Sequence, residues 1–240
     1  MVFFLYNFFH RETNDKTEKG LVSIPRHAPD RFRKHGLNNR ASLFRPVNLQ
    51  EVEGFFARSV LTHSQLHATS LAYQDIELRV LGNILQCGYG MLDRLKQNKR
   101  AVPSYGKCHS LGIYVFLFEQ IGICRPGIYQ YNMLQHCLEP LLLKVISSFE
   151  RQRFTLSEWP MATRVAVCLT VLFPLSIDGY GSRGYRYSLF EAGHVAQNMI
   201  LAAAEFGKIF LPLEEVCEEE VERVLELDTD EERVLSVWCL

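Results

Sequence analysis

Three short clusters in the sequence combine residue types that packing alone does not call for. In the first, Arg100-Ala-Val-Pro-Ser-Tyr-Gly106, Ser104 and Gly106 follow Pro103. That order suits a tight loop whose backbone amides approach a planar or anionic ligand, although Pro-Ser-x-Gly also builds ordinary turns. The second, Tyr180-Gly-Ser-Arg-Gly-Tyr-Arg186, packs two tyrosines, two arginines and two glycines into seven residues. Arg183 and Arg186 precede a helix, whose positive end favours an anion; the plainer alternative is a loop tied down by arginine hydrogen bonds. The third is Glu191, His194, Gln197 and Asn198, polar residues on a helix that otherwise reads as buried. Buried polar groups need partners, so these bond one another or a ligand. Taken alone, His194 reads as a satisfied core histidine.

Other chemistries are excluded by pattern. No GxGxxG or GxxxxGK[ST] phosphate loop, no GxSxG nucleophile elbow and no HExxH occurs. His63 and His67 stand four apart without a nearby acidic companion, and no metal site is expected. The seven cysteines form no CxxC pair, which speaks for reduced thiols in a cytoplasm rather than a disulfide framework or a zinc site. A net charge of −1 excludes bulk electrostatic attraction to nucleic acid. The apolar opening Met1–Phe9 is too short for a membrane span and lacks the flanks of a signal peptide. The expectation is a soluble, cytoplasmic protein with neither nucleic-acid nor membrane partners.

The elements that must hold these clusters follow from periodicity. Forty-eight per cent apolar residues with 22% charged is ordinary globular composition. Residues 1–47 read as an irregular extension, broken by Gly20, Pro25, Pro29, Gly36 and Pro46, which wraps over the core or reaches a partner subunit. A domain over 48–240 then begins with a helix at 48–60 capped by Asn48. A second helix fits 75–87, with Asp75 as cap and Gly88 and Gly90 as its end. Continuous β-prone runs at 111–118 and 164–173 predict central strands, and 128–131 a further one. Helical spacing is expected at 137–150 and across the acidic 213–225. It is strongest at 186–206, where small residues on nearly every side suggest close packing all round. Val234–Cys239 closes as a strand. Without βαβ regularity, the class is α+β around one mainly antiparallel sheet.

The same clusters carry a resemblance. The run from Tyr180 to Gly207 closely resembles the signature KYGxRGYRxxLxEAGHxxQNxxLxAxxxG of the SagB-type dehydrogenases. These are FMN-dependent azoline oxidases of thiazole/oxazole-modified peptide biosynthesis, a branch of the nitroreductase-fold flavoenzymes. Arg100–Gly106 looks like that family's R-x-x-PS-x-G, and Pro126–Asn132 like its PG-x-Y-x-Y. Arg58-Ser59 is similar to its early phosphate site, while Phe9-His10 and Lys34 echo its amino-terminal extension. The match is specific at 180–207, good at 100–132 and loose elsewhere.

What the resemblance implies is a nitroreductase-like, domain-entwined homodimer with FMN at each subunit interface. Such a protein oxidises thiazoline or oxazoline rings in a modified precursor peptide, beside the cyclodehydratase that makes them. Arg58 and Ser59 would hold phosphate, and Pro103, Ser104 and Gly106 would lie along the flavin ring. Arg100, Arg183, Arg186, Gln197 and Asn198 complete the implied cofactor set, and Tyr180 matches the catalytic tyrosine. Departures stand beside these matches. Gly179 replaces the lysine that precedes that tyrosine, a loss worth about 10²–10⁴ in rate unless Asp178, Tyr180 or Lys107 substitutes. Leu61 replaces the second arginine of the phosphate site, and Gly106-Lys-Cys-His-Ser110 replaces an apolar run. A degenerate scaffold subunit and an NAD(P)H-dependent nitro- or quinone reductase therefore remain as alternatives.

Overall fold

A computed structural model describes residues 74–91 and 100–240, together with the backbone of Val47–Asn48. Arg58, Ser59, Leu61, His63, His67 and nearly all of the expected extension and 48–60 helix lie outside the described residues.

A seven-stranded antiparallel sheet forms the middle of the protein, in the order β1-β4-β3-β2-β5-β7-β6. The strands are β1 (Val47–Asn48), β2 (Leu111–Leu117), β3 (Gly127–Asn132), β4 (Cys137–Leu142), β5 (Val165–Leu172), β6 (Leu211–Pro212) and β7 (Glu232–Cys239). The α+β reading with a mainly antiparallel sheet therefore holds. β2 and β5 pair in full register from Leu111↔Val171 to Leu117↔Val165. Both are covered on both sides, because strand side chains alternate between faces. Ile113, Val115 and Leu117 join Val165, Val167 and Leu169 on one face. Tyr114 and Phe116 join Ala166 and Cys168 on the other.

Each face carries its own layer. On the first lie α1 (Leu78–Tyr89) and the long α4 (Ser182–Glu205). They cross so closely at Gly88 that a Cβ there would run into the side chain of Met199. On the second lie the segment 143–163, with its short α2 (Ser148–Gln152), and the acidic α5 (Glu218–Leu225), which buries Val221 and Leu225. α3 (Phe173–Tyr180) leads directly out of β5 into α4. Gly181, at φ +56°, is the single residue that separates the two helices.

Four expectations are corrected. The helix predicted over 137–150 is β4 followed only later by α2. Leucines at 138, 141, 142 and 143 imitate a helical stripe, but Pro140 cannot sit in a helix interior and is tolerated in a strand beside a bulge. The side chain of Asn132 closes the β3–β4 turn by accepting from the amides of Leu134 and Gln135, both at 3.0 Å. Asp75 does not cap α1, which starts after Glu77 without a side-chain cap; it pairs with Arg164 at 2.8 Å instead. The acidic helix begins only at Glu218, because 211–212 is strand. α4, finally, is not packed all round: Leu189, Phe190, Gly193, His194 and Gln197 are exposed along one side.

Candidate active site at the α4–loop junction

The loop 100–110 starts beside the end of α1, where the Ala101 amide donates to the Gly90 carbonyl at 3.0 Å, and leads into β2, and α4 pins it along its length. Asn198 donates its side-chain amide to the carbonyls of Cys87 (3.2 Å) and Ala101 (3.3 Å). Two turns earlier on α4, Glu191 is buried with 3% exposure and accepts the hydroxyl of Ser104 at 2.8 Å and that of Tyr89 at 2.7 Å. One turn earlier again, Ser188 meets Ser110, hydroxyl to hydroxyl, at 2.7 Å. Ser188 also donates back to the carbonyl of Gly184, which leaves Ser110 as the donor between the two. The loop therefore lies antiparallel to the helix, fastened by one stripe of polar side chains.

The two hydroxyls bound to Glu191 also accept backbone amides. Tyr89 receives the amide of Leu111 at 3.3 Å, and Ser104 receives that of His109 at 3.0 Å. The carboxylate thereby acts at second hand on the start of β2. The His109 imidazole lies 3.4 Å from the same carboxylate, within ion-pair reach, although its Nδ1 makes no hydrogen bond among the described residues. Burial, reinforced by the nearby Glu191 charge, pushes the Tyr89 phenol well above its ordinary value. It stays a donor throughout the neutral range. The Arg100 guanidinium covers the ring of Tyr89, 5.1 Å from its centre.

Beyond Ser104 the loop turns left-handed. Gly106 (φ +59°) and Lys107 (φ +58°) are consecutive positive-φ residues, closed by a hydrogen bond from the Cys108 amide to the carbonyl of Tyr105 at 3.3 Å. The hydroxyl of Tyr180 lies directly against Gly106, so close that a Cβ there would overlap it. An aromatic group grows out from this contact. Tyr187 stands edge-on to Tyr180 (5.2 Å, 83°) and stacks flat on Tyr105 (4.4 Å, 10°), which remains 52% exposed. Burial, then the neighbouring Cys108 and Tyr187, raises the Tyr180 phenol above its ordinary value.

Of the residues singled out from sequence, the structure brings Arg100, Pro103, Ser104, Gly106, Lys107 and Tyr180 to one loop and its immediate cover. Pro103 and Lys107 are exposed, and Arg100 and Ser104 half-buried. Arg183 and Arg186 belong to the first two turns of α4 rather than to a loop, the former exposed and the latter half-buried. The polar quartet on α4 separates. Glu191 and Asn198 face the loop, while Gln197 lies about 120° round the helix from Glu191 and is exposed, as is His194. Asp178 is exposed two residues before Tyr180 on α3, a spacing at which helical side chains do not face each other. Tyr89, Ser110, Ser188 and Tyr187 were not singled out. The spacing 188, 191, 198 on one helical face was the available signal for Ser188. Among the described residues no group of three potential metal ligands occurs, and no helix is long and apolar enough to cross a membrane.

Residues 71–240 match the nitroreductase family. A Methanocaldococcus jannaschii protein provisionally named a nitroreductase is 31% identical over 133 residues, 55% of this chain and 65% of its own length. The trifolitoxin-processing protein TfxB of Rhizobium leguminosarum bv. trifolii is 31% identical over 147 residues, 59% of this chain and 39% of its own length. The chain thus spans less than two thirds of either curated relative. Among solved structures, a chain of the E. coli microcin synthetase McbBCD complex, with a truncated pro-microcin bound, superposes with a TM-score of 0.61 at 19% identity, covering 99% of this chain and 91% of that one. A Desulfovibrio desulfuricans protein, provisionally called a nitroreductase and solved in complex with FMN, superposes with a TM-score of 0.50 at 11% identity over 77% of this chain and 86% of that one. These two likenesses concern the fold.

Proposed function

The chain belongs to the nitroreductase family, and from that premise we propose that it is an FMN-dependent dehydrogenase that oxidises thiazoline or oxazoline rings to thiazole or oxazole in a ribosomally made peptide. The family makes it an oxidoreductase. The peptide role is supported by the likeness to a trifolitoxin-processing protein and by the signature run from Tyr180 to Gly207. The reading is carried by one observation, the Tyr180 phenol seated on Gly106.

The donor set around that contact fits a flat, electron-poor ring system. Gly106 offers an exposed stretch of backbone without a side chain, and Arg100 and Ser104 lie in the same loop. Arg100, Pro103, Ser104 and Gly106 would hold the ring portion of FMN. Arg183 and Arg186 would lend positive charge, and Arg58 and Ser59 would take the phosphate. When bound, FMN supplies the two-electron acceptor, so that ring oxidation needs only a proton acceptor from the protein. Tyr180, held protonated at neutral pH, orients the substrate as a hydrogen-bond donor rather than as a base. Lys107, exposed directly after Gly106, would stand in for the family's lysine, in preference to Asp178, which is exposed two residues before Tyr180 on α3. Two copies would pair through the exposed Leu189–Phe190–Gly193 side of α4, and a cyclodehydratase would furnish the azoline peptide.

Two rival readings rest on particular observations. The Methanocaldococcus relative bears the nitroreductase name, which favours a small-molecule reductase. Gly179 favours a scaffold without activity. Purified protein incubated with FMN and a thiazoline peptide is expected to produce a 2 Da loss by mass spectrometry, and Tyr180→Phe, which removes one orienting donor, to slow it by about ten- to a hundredfold. A protein that takes up no FMN overturns the proposal. Rapid bleaching of bound flavin by NAD(P)H, with the peptide unchanged, gives the reductase reading; flavin binding with neither reaction gives the scaffold.

A further inference from the structure

Glu191 is the most thoroughly engaged buried carboxylate on the face of the sheet that bears the site. Its hydrogen-bond partners among the described residues, Tyr89 and Ser104, do not include Tyr180. Its two oxygens divide the work: Oε1 holds Tyr89, at the end of α1, and Oε2 holds Ser104, at the entrance of the left-handed turn. Ser104 in turn receives the amide of His109, beyond the exit of that turn. Backbone bonds from Lys107 to Ser104 (3.1 Å) and from Cys108 to Tyr105 (3.3 Å) form the turn itself, and the Ser104 hydroxyl, resting on the Glu191 carboxylate, ties its entrance and exit to α4. Its conformation needs such support, because Lys107 and His109 both adopt positive φ at 58° and 46°, a region that costs an L-residue about 1–2 kcal/mol.

We infer that Glu191 is a positioning residue, which through Ser104 fixes the height of the 105–108 turn and so the place where Gly106 meets the hydroxyl of Tyr180. The flavin part of this inference rests on the reading proposed above. A carboxylate accepting two hydroxyls gives stronger, shorter bonds than a neutral acceptor would. An amide at this position keeps one acceptor oxygen and turns an NH₂ towards a hydroxyl that already accepts a backbone amide. The paired ties to α1 and to the loop are then no longer both satisfied, without a change of shape.

Two measurements test this. Trypsin cleavage after Lys107, at the tip of the turn, reports whether the turn is held, and cleavage after the exposed Lys144 serves as internal reference. FMN titration with the visible absorption band of the bound flavin reports whether the loop's face is correctly placed. Glu191→Gln and Ser104→Ala are each expected to raise cleavage at Lys107 at least tenfold relative to Lys144. Each should also weaken FMN binding by about tenfold, equivalent to about 1.4 kcal/mol. The double variant should be no worse than either single one, because both break the same link. Ser104→Thr, which keeps the hydroxyl, should return cleavage at Lys107 to the wild-type level. Glu222→Gln, which alters a buried carboxylate on the opposite face, should move neither. Wild-type cleavage and affinity in a folded Glu191→Gln, or additive losses in the double variant, overturn the inference. If the wild type binds no FMN yet cleavage at Lys107 follows Glu191, the flavin reading falls while the positioning role stands. If FMN binds and cleavage ignores Glu191, the reverse holds.

Discussion

Two glutamates lie buried on opposite faces of the same sheet, and they are held in contrasting ways. Glu222, 4% exposed on α5, pairs with the guanidinium of Arg233 at 3.0 Å and accepts the amide of Val234 at 3.1 Å. Its charge is balanced, and both partners belong to the neighbouring strand β7. Among the described residues Glu191 has no guanidinium partner; its direct hydrogen-bond partners are two hydroxyls that reach it from α1 and the loop. The first arrangement is a staple between a helix and a strand. The second leaves a carboxylate dependent on the placing of neutral donors, and places their loop under its control. Burial alone does not tell a structural charge from one that serves a site; the identity of the partners does.

Alkali sets the baseline, because it strikes both faces. Burial raises the thiols of Cys87, Cys124 and Cys137 to about 11, and that of Cys239 to about 12. Burial also carries the Tyr129 phenol to about 12. Each group keeps its proton in the folded chain above the pH at which the unfolded chain releases it. Their contribution is complete below about pH 9 and lost as pH rises towards 11–12. The urea midpoint is expected to be flat from pH 7 to 8.5 and to fall steeply above 9, by more than any single substitution named here. A midpoint that holds level to pH 11 contradicts this.

Glu222→Ala sharpens the comparison from the structural side. It strands the Val234 amide and removes the counter-charge of Arg233, at a cost of about 3 kcal/mol in urea unfolding, with FMN affinity unchanged. Gly184→Ala is expected to cost about 2 kcal/mol. Its methyl group would overlap the carbonyl of Ser176, pushing apart α3 and α4 and displacing Tyr180, so that here flavin affinity falls as well. Ser110→Ala removes only the donor to Ser188 and should cost about 1 kcal/mol. Equal losses of flavin affinity in Glu222→Ala and Gly184→Ala would erase the distinction between the two faces.

Much of this was legible in the sequence. The continuous apolar runs of β2 and β5 announce strands covered on both sides, and the strands 127–132 and 232–239 extend the expected 128–131 and 234–239 by one or two residues. Local pattern failed where a distant partner decides. The leucines of 138–143 fit a helix or a strand equally, and pairing with β3 settles the matter. α3 was missed because Phe173 and Pro174 read as the end of β5, whereas proline is well suited to the first turn of a helix. At the site, the loop and Tyr180 were visible as motifs. The stripe that fastens the loop was not, since Ser110 and Ser188 are small hydroxyls seventy-eight positions apart and neither is remarkable until they meet.

That antiparallel fastening has a bearing on how such chains change over generations. Segments 100–110 and 188–198 lie far apart in the gene yet answer to one another at three rungs: Ala101 with Asn198, Ser104 with Glu191, Ser110 with Ser188. In the two side-chain rungs a substitution on one side strands a polar atom on the other, so divergent relatives should exchange both members together, or neither, whereas the rung to the Ala101 carbonyl binds Asn198 alone.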